Sequence, residues 1–169
     1  MKPPAFDYLR AENVGDVVEG LAQQGGDARV LAGGQSLMAM LNMRLAKPKL
    51  LIDIMRIDEL RRIERRGDAV VIGAGVRQAD LLAWPELAEA LPLVALALPW
   101  VGHMQTRSRG TVCGSLAHAD PSAEMPLAMV ALGGGSHLAA EDAAPQRQAP
   151  APRRGQGLFR RHDADRARR

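Results

Sequence analysis

Residues 107–126 read RSRGTVCGSLAHADPSAEMP: a run of small residues, Gly110-Thr111-Val112-Cys113-Gly114-Ser115, followed by the acidic-proline cluster Asp120-Pro121-Ser122-Ala123-Glu124. Small residues let a ligand come close to the main chain, and successive N–H groups in such a turn form a concavity suited to an anion. Nearer the N-terminus, Ala32-Gly33-Gly34-Gln35-Ser36 offers the same chemistry between a short apolar run and apolar positions at helical spacing. Free N–H groups and the helix dipole at such a junction favour phosphate, the dipole alone by about 0.3–1 kcal/mol. By itself this motif is weak. It is neither G-x-G-x-x-G nor a Walker A sequence, and a plain connecting loop with Ser36 as N-cap explains it equally well. Two such turns in one small chain could grip a diphosphate from both sides, and that pairing governs the reading of the fold.

Around the first turn, Phe6–Leu9 reads as a strand. Asn13 caps a helix with Asp16 at the capping-box position, and Gly25-Gly26 ends it. Ala28–Ala32 is a second strand. The next helix carries Leu37, Met40, Leu41 and Leu45 on one face and stops before Pro48; Leu50–Ile54 is an apolar strand. The order β-α-β-α-β predicts a small parallel sheet with crossover helices. Toward the second turn the style changes. Arg62–Arg65, Arg66-Gly67-Asp68 and Ala69–Gly73 form a hairpin pattern, and helices are expected over Val76–Ala83, Glu86–Ala90 and Leu93–Leu98. Ser122 is expected to cap a last helix ended by Gly133-Gly134-Gly135. The domain reading is a first lobe over 1–57, a second, incomplete mixed lobe over 58–140, and a disordered Arg/Pro/Ala-rich tail over 141–169.

Composition narrows the function. The net charge of +3 is misleading, because residues 147–169 hold eight Arg and two Asp, a balance of +6, and leave −3 for the rest of the chain. With no basic stripe on the body, nucleic-acid binding has little support. One cysteine excludes an internal disulfide and, alone, a cysteine-rich metal site or iron–sulfur cluster. The longest apolar stretch, Leu91–Met104, is interrupted by Pro92 and Pro99 and is too short to span a bilayer. The first residues lack the apolar run of a signal peptide, so the cytoplasm is the expected location.

Other candidates have ordinary explanations beside the functional ones. His103 and His118 lack partners at metal-ligand spacing and suit packing or hydrogen-bonding roles; no metal site is expected. Arg107 and Arg109 could neutralise phosphate or lie solvated in a loop. Met38, Met40, Met43, Met125 and Met129 suit core filling. Asp120-Pro121-Ser122 works as a turn and helix cap whatever else it does. Neither a Ser-His-Asp nor a Cys-His-Asn arrangement is visible, and Cys113 has no activating base.

Taken together, AGGQSLMAMLNMRLAKP (Ala32–Pro48) and RGTVCGSLAHADPSAEMP (Arg109–Pro126) resemble the two flavin-binding segments of the FAD-binding medium subunit of molybdenum hydroxylases, the carbon monoxide dehydrogenase and xanthine dehydrogenase family. The likeness runs from Phe6 to about Gly134. It implies an α+β, two-lobed FAD-binding fold of the vanillyl-alcohol-oxidase (PCMH) type, with FAD extended between the lobes. By carry-over, Ala32, Gly33, Gly34, Gln35 and Ser36 hold the diphosphate from one side. Thr111, Cys113, Gly114 and Ser115 hold it from the other, with Val101 near the flavin and Asp120 and Glu124 as polar contacts. The resemblance further implies an oxidoreductase working by electron transfer. The flavin takes electrons from iron–sulfur clusters of a [2Fe–2S] small subunit and passes them to NAD, a quinone or oxygen. Substrate is hydroxylated at a molybdenum cofactor in a large subunit, in a heterotrimer able to dimerise. No catalytic residue is expected in this chain, whose part is to position FAD and tune its potential.

The chain departs from the family at several points. Cys113 stands where glycine is usual, which would cost roughly 1–2 kcal/mol if the position needs positive φ. Ser108 replaces a usual Asn, and the family's third, flavin-covering domain is expected to be missing. Reverse-translated with GC-rich codons and read in a shifted frame, Phe159–Arg168 can give FVGMMLTAR, which resembles the family's continuation. A frameshift near residues 134–150 is therefore expected, and the coding DNA tests it. The rival readings are a non-catalytic nucleotide-diphosphate binding module and an inactive truncated product.

Overall fold

The computed structural model describes residues 2–133 in full and residues 158–160 by their backbone. The chain begins with β1 (Asp7–Arg10), α1 (Val14–Gln24), β2 (Ala28–Leu31), α2 (Leu37–Asn42) and β3 (Leu50–Asp53). The three strands are parallel in the order β1-β3-β2, so β3 is central and pairs along its length on both sides. Parallel neighbours cannot be joined by a hairpin, and α1 and α2 lie in the crossovers that bring the chain back. The entry to α1 is fixed locally: Asn13 Oδ1 accepts from Asp16 N–H at 3.0 Å while Asp16 Oδ2 accepts from Asn13 N–H at 3.3 Å. Gly25, at φ 51°, ends the helix. Val17, Ala28, Ile52, Ile54 and Ile57 gather into one apolar core. Burying a side chain such as Ile52 is worth about 1.5–3 kcal/mol.

One expectation for this half fails. The second helix stops at Asn42, and Leu45, assigned to its apolar face, is 70 % exposed. Arg44 adopts a left-handed conformation (φ 59°) that no α-helix can continue through. Met38 and Met43 are exposed as well, so their role as core filler does not hold, whereas Met125 and Met129 are buried.

The second half opens with the hairpin β4 (Ile63–Arg66) and β5 (Ala69–Ile72), joined through Gly67 at φ 59°. Then follow α3 (Gln78–Leu82), α4 (Leu87–Ala90), α5 (Pro92–Ala97), α6 (Met104–Arg107), α7 (Val112–His118) and α8 (Glu124–Ala131). Val70, Ile72, Leu81, Leu91, Val94, Leu98, Val112 and Met125 form its own core. Ala123, not Ser122, occupies the N-cap position of α8, without a side-chain cap bond. Helix α8 is apolar on nearly every side. Met125, Ala128 and Met129 face the core, while Leu127 and Val130 are exposed, as are Leu96 on α5 and Trp100 just beyond it. The expected structureless tail contains one strand, β6 (Leu158–Arg160), antiparallel to β5. Residues 134–157 and 161–169, on which the expectation of a displaced frame falls, lie outside the described residues. No helix among the described residues is long and apolar enough to cross a membrane.

Candidate functional site

The two halves meet where the two small-residue stretches come together. A Cβ placed on Gly33 would collide with the carbonyl oxygen of Arg109 and stand 2.6 Å from the Cα of Gly110. Main chain thus packs on main chain, and no residue but glycine fits at 33 without moving one of the halves. Gly110 is enclosed by the same contact, with the Thr106 carbonyl, Gln78 Oε1 and Gln35 Cγ around it. Beside this junction opens a cleft of about 500 Å³ lined by Ala32, Gly33, Met55, Arg77, Ser108 and Arg109. That volume falls in the range of small-molecule and cofactor sites.

The first stretch is a true loop. Gly34 takes φ 70°, and Gln35 folds back so that its Nε2 donates to the Gly33 carbonyl at 3.1 Å. Among the described residues, the main-chain N–H groups of Gly33, Gly34, Gln35 and Ser36 find no protein acceptor. Ser36 precedes α2 but makes no cap bond. Four adjacent N–H donors without a protein acceptor are the chemistry an anion cradle needs, independent of the weak dipole of the six-residue helix that follows.

The second stretch is organised differently. Thr111 is 2 % exposed and is the N-cap of α7, its Oγ1 accepting from Gly114 N–H at 3.0 Å. Val112 N–H donates to the Val76 carbonyl and Ser115 N–H to the Thr111 carbonyl. What reads as an open turn of donors is the start of a helix with most of its donors already committed. The main-chain N–H of Cys113 alone among residues 112–115 has no acceptor among the described residues. Gly114 is explained by the cap, since a Cβ there would stand 2.6 Å from Thr111 Oγ1.

Cys113 lies inside α7 without positive φ, so its replacement of a glycine carries no backbone strain. Its Sγ turns toward the second core, 3.4 Å from the Ile72 carbonyl oxygen. Burial pushes the thiol from 9.0 up to about 11. Val101 is buried in the same core, and its carbonyl accepts from Arg107. Arg107 is held by the Val101 and Gly102 carbonyls at 3.0 and 3.2 Å and does not line the cleft. Asp120 is engaged locally: Ser122 Oγ and Ser122 N–H both donate to its Oδ1, at 2.7 and 2.8 Å, and hold its carboxyl below the ordinary range. Glu124 is exposed in the first turn of α8. His103 and His118 are exposed too, and their side chains make no hydrogen bond among the described residues, so the expected packing or hydrogen-bonding role is not seen for either side chain. Among the described residues no group of three or more His, Cys, Asp or Glu is placed to hold a metal ion.

Of the expected residues, the cleft therefore collects Ala32 and Gly33, with Gly34, Gln35 and Ser36 in the same loop and Thr111 just behind it. Thr111, Cys113, Gly114 and Ser115 of the second stretch do not themselves line it, nor do Val101, Asp120 and Glu124. Two lining residues were missed. Met55 is set by its N–H donating to Asp53 Oδ1 at 2.8 Å, and Asp53 Oδ2 in turn accepts from Tyr8 Oη. Arg77 is brought in by an antiparallel bridge to Thr111. No local motif marks either position. The arrangement fits a diphosphate-bearing ligand: a close main-chain approach at Gly33, free donors in its loop, and a rim with no carboxylate.

Comparison with known proteins agrees with this geometry. Residues 4–156 match a family model described as the FAD binding domain in molybdopterin dehydrogenase. The chain is 45% identical over 132 residues to the 6-hydroxypseudooxynicotine dehydrogenase complex subunit alpha of Paenarthrobacter nicotinovorans, covering 78% of this chain and 45% of that protein. It is 44% identical over 132 residues to the carbon monoxide dehydrogenase medium chain of Hydrogenophaga pseudoflava, covering 78% and 46%. Among solved structures, the reconstituted CO dehydrogenase from Oligotropha carboxidovorans superposes with a TM-score of 0.77 at 39% identity, over 80% of this chain and 47% of that one. The chain spans about half the length of the curated relatives it matches. Its fold is the α+β FAD-binding fold of these subunits, and its cofactor is FAD. The chain belongs to the family of FAD-binding domains of molybdopterin dehydrogenases.

Proposed function

We propose that this chain is the FAD-holding part of an electron-transfer subunit in a molybdenum hydroxylase-type oxidoreductase. In this reading it works beside a large subunit with a molybdenum cofactor and a small subunit with [2Fe–2S] clusters. Bound FAD supplies the ability to take up electrons from such clusters and deliver them to an acceptor. The chain's own residues bind and orient the cofactor. The Gly33–Ser36 loop presents its free N–H groups to the diphosphate, and Ala32 and Gly33 allow the close approach. The Cys113 N–H at the start of α7 faces the same bridge from the other half, with Thr111 and Gly114 holding that start in shape.

The observation that carries this reading is the main-chain packing of Gly33 on Arg109 and Gly110 beside the cleft. It brings the two glycine-containing stretches together without any side chain between them. Reconstitution with FAD tests it. The expected result is a stoichiometric complex with flavin absorbance that bleaches on addition of dithionite. Uptake of ADP with no uptake of FAD would replace this reading by a plain nucleotide-diphosphate binding module.

A further inference from the structure

We infer that Arg77 is a diphosphate-binding residue, acting with Arg109 as a pair of cationic side chains at the cleft that the Gly33 loop borders. The inference rests on the flavoprotein reading above for the identity of the natural ligand, but its electrostatics stand on this chain's residues alone.

Arg77 and Arg109 both line the cleft, and both are exposed. Neither takes part in an ion pair or a side-chain hydrogen bond among the described residues. The other cleft residues are Ala32, Gly33, Met55 and Ser108, so no carboxylate lines the opening to balance the two cations. Several other cations of the chain are paired: Arg65 with Glu86 and Glu89, Arg66 with Glu64, and Lys49 with Asp27. Arg107, two residues before Arg109, is tied to carbonyl groups.

The backbone under Arg77 is fixed. Its bridge to Thr111 is closed by Gln78 N–H donating to the Gly110 carbonyl at 2.8 Å and Val112 N–H donating to the Val76 carbonyl at 3.0 Å. The start of α3 is thereby braced against the residues that contact Gly33. Next to it, Gln78 is 4 % exposed and its Oε1 has no hydrogen-bond partner, which leaves an acceptor beside Gly110. Guanidinium groups form charge-assisted, bidentate bonds to phosphate oxygens. Two cations lining one cleft, beside a loop with unused N–H donors, suit a diphosphate better than a single phosphate or a neutral ligand. The pair would therefore set selectivity for FAD and ADP over riboflavin.

The test is equilibrium titration of the full chain and its Arg77→Gln and Arg77→Lys variants with FAD, ADP and riboflavin at low and high salt. Arg77→Gln is expected to weaken FAD and ADP about tenfold each and to flatten their salt dependence, leaving riboflavin unchanged. Arg77→Lys keeps the charge and recovers part of the loss. Equal thermal melts of all three proteins show that folding is not the cause. Wild-type affinity and wild-type salt dependence in Arg77→Gln for both FAD and ADP would overturn the inference. Binding of ADP but not FAD by the unaltered chain would sink the flavin reading while still deciding the role of Arg77 through the ADP titrations. An unaltered chain that binds neither would overturn both.

Discussion

The two stretches that meet at the cleft look alike in composition and work in opposite ways. Around Gly33 the chain is an open loop, with donors that nothing in the described protein uses and a backbone pressed against another backbone. Around Gly114 it is the first turn of a helix, with Thr111 buried as the cap and its donors largely spent. A glycine is needed at 33 because of what lies across the chain, and at 114 because of what lies three residues back. Small residues in a sequence thus report a lack of room and leave open whether the room is taken by a ligand, another loop or a neighbouring side chain.

The largest effect should come from breaking the first of these contacts. Gly33→Ala puts a methyl group into the Arg109 carbonyl, where no flexible side chain can yield, and should cost about 1–3 kcal/mol or more. A thermal melt reads the loss, and FAD titration should show weakened binding. Gly26→Ala is the control, because nothing lies within 4 Å of its Cβ and its φ is not positive. Equal melts for the two variants would mean that the halves do not touch as described.

A middle effect belongs to the cap. Thr111→Ala should lose about 1 kcal/mol through the vacated bond to Gly114 N–H, and Thr111→Ser should recover most of it. The distinguishing readout is hydrogen exchange at Gly114, which should rise in the first variant and not in the second. Unchanged protection would return residues 111–115 to the open turn their composition suggests.

The smallest effect on binding should be at Cys113. Its side chain faces the core, so Cys113→Ala should alter FAD affinity by less than about twofold. The thiol itself gives a sharper reading. With its titration moved up to about 11 by burial, it should react with iodoacetamide at pH 8 at least about a hundredfold more slowly than an unperturbed thiol. The sign for stability follows from the same shift. The folded chain holds the proton more tightly than the unfolded one, so this stabilisation is complete below about pH 9 and is lost as pH rises toward 11. A fast-labelling Cys113 would place it in the cleft after all.

What could be read from residues alone was whatever is settled by neighbours in sequence. The Asn13–Asp16 capping box lies within four consecutive residues and is made as expected. The hairpin follows from Gly67 between two alternating runs. The parallel first sheet follows from its strand–helix rhythm, because that order admits few other closures. The misses have physical causes as well. Arg44 stops α2 in a conformation that its residue type does not announce, which stranded Leu45 outside the core. The cap at Thr111 did carry a signal, a threonine before helix-compatible residues, but the flanking glycines suggested a turn instead. Arg77 reaches the cleft only through a bridge to a residue distant in sequence, a placement that no local pattern encodes.

The strand order of the first sheet carries a consequence for how the protein is made. Its middle strand, β3, is the last of the three to leave the ribosome, and neither β1 nor β2 has the other as a neighbour. Until Leu50–Asp53 emerges, two nascent strands wait with unfilled edges, and only α1, with its local capping box, can hold structure of its own. Synonymous codons that slow translation once β3 has cleared the ribosomal exit tunnel should therefore raise the yield of correctly folded chain, whereas a pause with β1 and β2 outside and β3 still enclosed should lower it.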